Sequence, residues 1–571
     1  MRFAAQRPTS MYRSSRLAFF GTLLVILILC GLAVYPLSML FYGSIHSTPP
    51  GIVGEFNLGG YERALSTSTL HVVFTTIKVA VINTILSMLI ATTLAWIIAR
   101  TDVPYGGVLE VLISLPFFLP PILTAMAWGM LGNPTVGSIN LAWRYITGSD
   151  TAIVNVYSYG GVVWHMMQHS IPFIFLLLVD AFRNINSSFE EASRMSGASP
   201  TRTLFKITLM LALPAILNAA TLTLIVSIES FESALIFGLN SGVNVITTEI
   251  YSALNNEVSP QYQYGTALSF LVMVSLFLII LIQRAILGTR SYQSVTGKGF
   301  GYTVSKLGKW RWILFSYSMA FFMISVVMPI SQLLAGSFFK FFGFYKLNML
   351  TMENYYAVFR NRALHEAAAN TFILAFAGAT AAMILSAVIA YISVRTKLPG
   401  KKAVELLAWL PFLMPGIVLA IGFLWAFTML PGPIQIYGTM WALLIAYITL
   451  RLPISASVMS AAYSQLSFDI EECSRVHGAS WWRTLWRILI ALTWPSFVVG
   501  WVIAFSGIIR EVSASVLLYS TQSEVLSVSL LKLWSRGQSE QVAVIALGVM
   551  TVTVILRWAQ LTLLKKNSLS A

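Results

Sequence analysis

The chain has 571 residues, of which 57% are hydrophobic and only 10% charged, with a formal net charge of +15. A soluble domain of this length needs more charge to cover its surface, and apolar runs of about 20 residues, the length that crosses a bilayer as a helix, recur throughout. The runs are too continuous for the alternating strands of a membrane β-barrel. The Lys and Arg lie mostly in short loops between them, which fits a topology signal and argues against a nucleic-acid partner.

The first apolar run, Leu17 to Phe41, follows Arg2, Arg7, Arg13 and Arg16. It is too long for a signal-peptide core and lacks a small-residue cleavage site, so it reads as a retained first span. Further spans are predicted near 71–99, 108–131, 158–182, 210–238 and 265–287, and a second set near 312–336, 368–394, 403–430, 436–462, 490–518 and 541–564. With the N-terminus inside, cytoplasmic segments collect about 24 of the 36 Lys and Arg and outside loops about 8. The two cysteines, Cys30 and Cys473, imply neither a disulfide framework nor a cysteine metal site.

The chain repeats itself. Glu190 to Pro214 aligns without gaps on Glu471 to Pro495, with 13 of 25 positions identical. Arg100-Thr101, Pro104, Glu110 and Leu115-Pro116-Phe117 recur as Arg395-Thr396, Pro399, Glu405 and Leu410-Pro411-Phe412. Six spans per half is an even number, so both halves enter the membrane the same way and the repeat is parallel. The expected fold is therefore an all-α membrane protein of 12 transmembrane helices, in two parallel six-helix repeats. Residues 1–290 make the first half, 291–311 a cytoplasmic linker and 312–571 the second half. Pro116, Pro120 and Pro121, with Pro411 and Pro415, interrupt the third span of each half. Such prolines either line or hinge a translocation path or are ordinary packing kinks.

The fourth-to-fifth connections, 188–200 and 469–481, each read as a short helix with marked ends. Ser188 with Glu191, and Asp469 with Glu472, have capping-box spacing. Gly197 and Gly478 suit the left-handed residue after a helix, and Ser199 with Pro200 opens the next one. A helix of about eight residues is not stable alone in water, so the protein body or a partner must hold it.

These residues resemble the signature loop of type I ABC importer permeases: Glu191, Ala192, Ser193, Gly197 and Ile207 in the first copy, and Glu472, Cys473, Ser474, Gly478 and Ile488 in the second. Serine or cysteine replaces alanine, and Pro214 and Pro495 lie later than the family's proline. In that family the loop is a coupling helix seated in a groove of a cytoplasmic ATPase. The resemblance therefore implies docking through Glu190, Glu191, Ala192 and Gly197, and through Glu471, Glu472, Cys473 and Gly478. It further implies two copies of a separate ABC ATPase that carries ATP and Mg, a periplasmic substrate-binding protein, and a multi-pass position in the bacterial inner membrane with both termini cytoplasmic. Arg510-Glu-Val-Ser-Ala-Ser-Val-Leu-Leu-Tyr519, then Glu524-Val-Leu-Ser and Leu533-Trp534, resembles the fused ferric-iron branch. Fused permeases for thiamine or aminoethylphosphonate are similar. A secondary transporter driven by an ion gradient is the alternative of another class.

Ionisable residues within spans are candidates for a transport path. Glu229 and Glu232 fall in the predicted fifth span and Arg510 and Glu511 in the eleventh. Glu229 aligns on Arg510, so the two are expected to pair across the pseudo-twofold axis, leaving Glu232 and Glu511 as oxygen ligands for a cation. His165 and His169 share one helix face, which suits a metal in transit or two hydrogen-bonded structural histidines. Thr296-Gly-Lys-Gly299 lacks the remaining residues of a phosphate loop, so the chain is expected to bind no cofactor and to be no enzyme itself.

Overall fold

The computed structural model describes residues 16–255, 258–287 and 305–569. The predicted linker falls mostly on residues 291–304, outside the described residues, as do Thr296–Gly299 and Arg2, Arg7 and Arg13. Among the described residues the chain is helical, with isolated bridges and no strand.

Among the described residues ten helices are long and apolar enough to cross a membrane: Phe19–Ile45, Thr67–Arg100, Tyr159–Arg183, Pro200–Ile228 and Tyr262–Gln283, then Trp310–Phe338, Arg362–Arg395, Met440–Gln465, Trp481–Ile509 and Ser539–Leu556. They are numbered here as spans 1, 2, 4, 5 and 6 and spans 7, 8, 10, 11 and 12. Spans 3 and 9 are helix pairs broken at the prolines. Gly106–Phe118 meets Pro121–Gly132 at 95°, and Lys401–Leu413 meets Gly416–Thr428 at 108°. Pro121 opens the second helix of span 3, where its missing N–H costs nothing, and Pro415 stands just before that of span 9.

Each bent pair makes one net crossing. Arg100, at the end of span 2, donates to the carbonyl of Ile185, just past the end of span 4, while Asn83 reaches Ser170 midway along both. Spans 2 and 4 are therefore parallel neighbours, and the chain between them must return across the slab once. Arg395 repeats the arrangement by donating to the carbonyls of Leu466 and Ser467. Twelve crossings result, with both fourth-to-fifth connections at one end of the molecule. The far end repeats as well, since Thr76 accepts from the backbone N–H of Ile246 at 2.9 Å and Thr371 from that of Leu526 at 2.8 Å.

Each half lends its first span to the other. Span 1 lies on span 9, with Gly43 against the ring of Trp425 and Gly422 over Pro36. Span 7 lies on span 3, with Gly336 against Met130 and Ser138 donating to Gln332. Small residues let helix backbones approach closely where lipid provides no hydrophobic drive between helices.

Spans 5 and 11 differ from the sequence expectation, starting and ending about ten residues earlier. Hydropathy alone runs on through Ala234–Gly238 and Ser515–Leu518, but the polar breaks at Glu229-Ser230 and Arg510-Glu511 end the helices at Ile228 and Ile509.

Candidate functional site

Two regions gather the candidate residues. The first is the pair of connector helices, Ser188–Met195 and Asp469–Val476. Both begin one residue earlier than capping-box spacing predicts. Ser187 and Phe468 are the N-cap residues, and neither makes a side-chain cap. Instead Asn186 Oδ1 accepts from the N–H of Ser188 at 3.0 Å, and Ser467 Oγ from that of Asp469 at 3.2 Å. These side chains stand two residues ahead of the N–H they satisfy, a local turn that competes with the capping box. Gly197 and Gly478 end the helices with φ of +80° and +74°, and Ser199 and Ser480 cap the segments that follow.

The adjacent glutamates of each connector differ in burial. Glu190 and Glu471 turn inward and are buried, whereas Glu191, Ala192, Gly197, Glu472, Cys473 and Gly478 are exposed. Glu190 lies 2.7 Å from Arg100 and accepts from Thr208 at 2.6 Å. Glu471 lies 2.5 Å from Arg395, whose guanidinium also stands 4.1 Å over the Phe468 ring. On the outward face Phe189, Met195 and Val476 are exposed, Met195 by 90%. Beside the second connector, Ile470, Cys473, Ala479 and Ile488 line an open groove of about 540 Å³. Arg100 and Arg395 were visible in the sequence as a repeated Arg-Thr pair, but nothing there joined them to the glutamates.

The second region lies deep in the slab. Asn83, 17 residues or about 25 Å along span 2 from Arg100, donates to Ser227 in the last turn of span 5. Glu229 and Arg510 thus terminate their helices near mid-membrane. They do not form the expected ion pair. Arg510 donates to the carbonyl of Phe117, in the bend of span 3, at 2.6 Å and stands 5.4 Å over that ring. Glu229 Oε1 is buried without a hydrogen-bond partner. Glu511, expected to remain a free carboxylate, is instead paired with Arg451 of span 10. Arg451 was missed in the sequence, although an arginine inside the apolar run 436–462 is itself a signal. Among the described residues no ion pair involves Glu232. Pro116 and Pro411 lie in the 3-10 turns at the bends.

His165 and His169 meet at one hydroxyl. Their Nε2 atoms lie 3.0 and 2.9 Å from Thr124 Oγ1, and His165 Nδ1 lies 2.7 Å from Ser233. A hydroxyl can donate to one ring and accept from the other, so the set is satisfied as hydrogen bonds. Among the described residues no group of three His, Cys, Asp or Glu side chains could hold a metal ion.

The model of the family described as "Binding-protein-dependent transport system inner membrane component" matches residues 87–290 and 382–566. The chain belongs to this family. Each matched segment of the permease runs from within the second span of a half, through the bend and the connector helix, to its end. The permease is 25% identical to the ferric transport system permease protein FbpB of Actinobacillus pleuropneumoniae over 556 residues, 96% of this chain and 78% of that one. It is 23% identical to the Fe(3+)-transport system permease protein FbpB 2 of Haemophilus influenzae, covering 92% of this chain and 94% of that one. The molybdenum transport system permease protein ModB of Mycobacterium bovis is 27% identical over 37% of this chain and 78% of its own.

Proposed function

We propose that this permease forms the translocation path of an ATP-driven importer whose cargo is ferric iron, handed over by a separate periplasmic binding protein. The observation that carries the cargo is the reach of the similarity. Two ferric permeases match across nearly the whole chain, both halves included. The two connector helices support ATP as the drive. They are alike, lie at the same end of the molecule and expose apolar tips that an eight-residue helix cannot shelter alone. Each would seat on one copy of a cytoplasmic ATPase, which holds the ATP and Mg. Residues 1–290 and 312–571 would act as the two halves. The connector end is taken as cytoplasmic, with both termini on that side, because that end is rich in Lys and Arg.

The path itself would run between the halves at mid-membrane, past Glu229, Glu232, Arg510, Glu511 and the bends at Pro116 and Pro411. Carboxylate oxygens are hard ligands suited to Fe3+. Radioactive Fe3+ on its binding protein, offered to vesicles that contain the permease and its ATPase, tests the reading. Uptake is expected with ATP and no ion gradient, unaffected by excess molybdate, thiamine or aminoethylphosphonate. Uptake that needs a gradient instead of ATP would refute the importer reading, and uptake of one of those competitors in place of Fe3+ would refute the cargo.

A further inference from the structure

The connector helices are tied to the transmembrane bundle by a device that occurs twice. Each connector packs chiefly on the segment that follows it, the start of span 5 or span 11. A second tie is made by side chains, between Glu190 and Arg100 and between Glu471 and Arg395, and in each pair the side chains are 1% and 7% exposed. Both arginines are the last residues of the long helices of spans 2 and 8, where a cation also meets the negative end of the helix dipole. Each arginine also donates to carbonyls at the exit of the preceding span, Ile185 in one half and Leu466 and Ser467 in the other. Span 2 in turn reaches mid-membrane, where Asn83 joins Ser170 of span 4 to Ser227, two residues before Glu229.

We propose that Arg100–Glu190 and Arg395–Glu471 are coupling links, positioning residues that make spans 2 and 8 follow the connector helices when the ATPase closes. Glu191 and Glu472 are exposed on the connectors, whereas Glu190 and Glu471 beside them are buried. A buried ion pair suits this task, since two opposite charges held out of water resist separation in any direction while packed apolar side chains can slide. The inference rests on the docking reading above.

Hydrogen–deuterium exchange on the full chain in lipid nanodiscs, with its ATPase and with or without a non-hydrolysable ATP analogue and Mg, tests it without needing the cargo. In the native chain, ATPase binding should protect residues 188–195 and 469–476, and nucleotide should then change exchange at 93–101 and 388–396. Glu190→Gln with Glu471→Gln keeps the shape but removes the charge. It should retain protection of the connectors and shrink the nucleotide response at the ends of spans 2 and 8 at least threefold. The charge swap, Arg100→Glu and Glu190→Arg with Arg395→Glu and Glu471→Arg, should restore at least part of that response. A response of native size in the Gln variant overturns the proposal, as does a swap that folds and binds the ATPase but restores nothing. Connectors left unprotected by the ATPase in the native chain would instead refute the docking reading itself, and the coupling proposal with it.

Discussion

Arg451 of span 10 and Glu511 at the end of span 11 form an ion pair at positions where the first half has Ser170 and Ser230. The two halves share a fold but not this charge pair. Ser170 uses its hydroxyl to accept from Asn83, so its site is satisfied without a charge. Removing one partner from a buried pair strands the other, at a cost of about 3–5 kcal/mol, while replacing both is often neutral. With side chains 16% and 12% exposed, this pair should fall at the low end. Arg451→Ser or Glu511→Ser alone should therefore lower the thermal midpoint of the purified permease. The double change, which installs the first half's residues, should recover most of the loss. Single variants as stable as the native chain would show that water reaches the pair.

The turns at Gly197 and Gly478 offer a test that separates strain from crowding. Both have positive φ, and a Cβ at either would meet nothing within 4 Å. The penalty for a side chain is then the left-handed backbone alone, about 1–2 kcal/mol for an ordinary L-residue and less for Asn. Gly478→Ala and Gly478→Leu should weaken ATPase capture to a similar degree, and Gly478→Asn less. Capture measured by co-purification that falls steadily with side-chain volume would contradict this account.

Much of this architecture was legible in the sequence because it depends on local quantities. Apolar run length located the spans, the self-alignment located the repeat, and Gly197 and Gly478 marked the connector ends. What stayed hidden depends on tertiary placement. Prolines announced a break in spans 3 and 9 but not bends near 100°, since the angle is set by the helices packed around them. Hydropathy could not see that span 5 stops at Ile228, because the apolar turn Ala234–Gly238 carries the run on past the polar break at Glu229-Ser230. Glu190 and Glu191 are neighbours about 100° apart on a helix, and sequence cannot say which faces inward. The expectation that Glu229 meets Arg510 assumed symmetric positions with symmetric partners. Arg510 found a backbone carbonyl in the other half instead, and Arg451 took the carboxylate of Glu511.

Glu229 is an ionisable residue whose carboxylate the structure leaves partly unused. Its Oε1 is buried with no hydrogen-bond partner, and an ionisable side chain at mid-membrane is retained against a standing cost of about 2.5–3.5 kcal/mol. Glu229→Gln should therefore leave the thermal midpoint unchanged or raise it, while uptake of Fe3+ falls at least tenfold because a neutral amide is a poor ligand for a hard cation. Glu511→Gln should behave oppositely in stability, since it abandons Arg451. Fe3+ uptake at the native rate in Glu229→Gln would remove this residue from the path.

The exchanged first spans make a prediction that turns on rigidity. A Cβ added at Gly43 would overlap the indole of Trp425, and one added at Gly336 would overlap only the terminal methyl of Met130. The two sites are counterparts, each joining a first span to the bent span of the other half. The indole cannot move aside, because Trp425 is fully buried and its Nε1 donates to Thr266 at 3.0 Å. Met130 has three rotatable bonds and can swing its end away at small cost. Overpacking a rigid contact typically costs about 1–3 kcal/mol, so Gly43→Ala should lower the thermal midpoint of the purified permease by several degrees, and Gly336→Ala should barely move it. Trp425→Phe alone should also destabilise, through the lost hydrogen bond and volume. Combined with Trp425→Phe, however, Gly43→Ala should cost less than it does against tryptophan, because the smaller ring leaves room for the methyl. Equal effects at Gly43 and Gly336, or additive effects at Gly43 and Trp425, would mean that span 1 does not rest on span 9 as described.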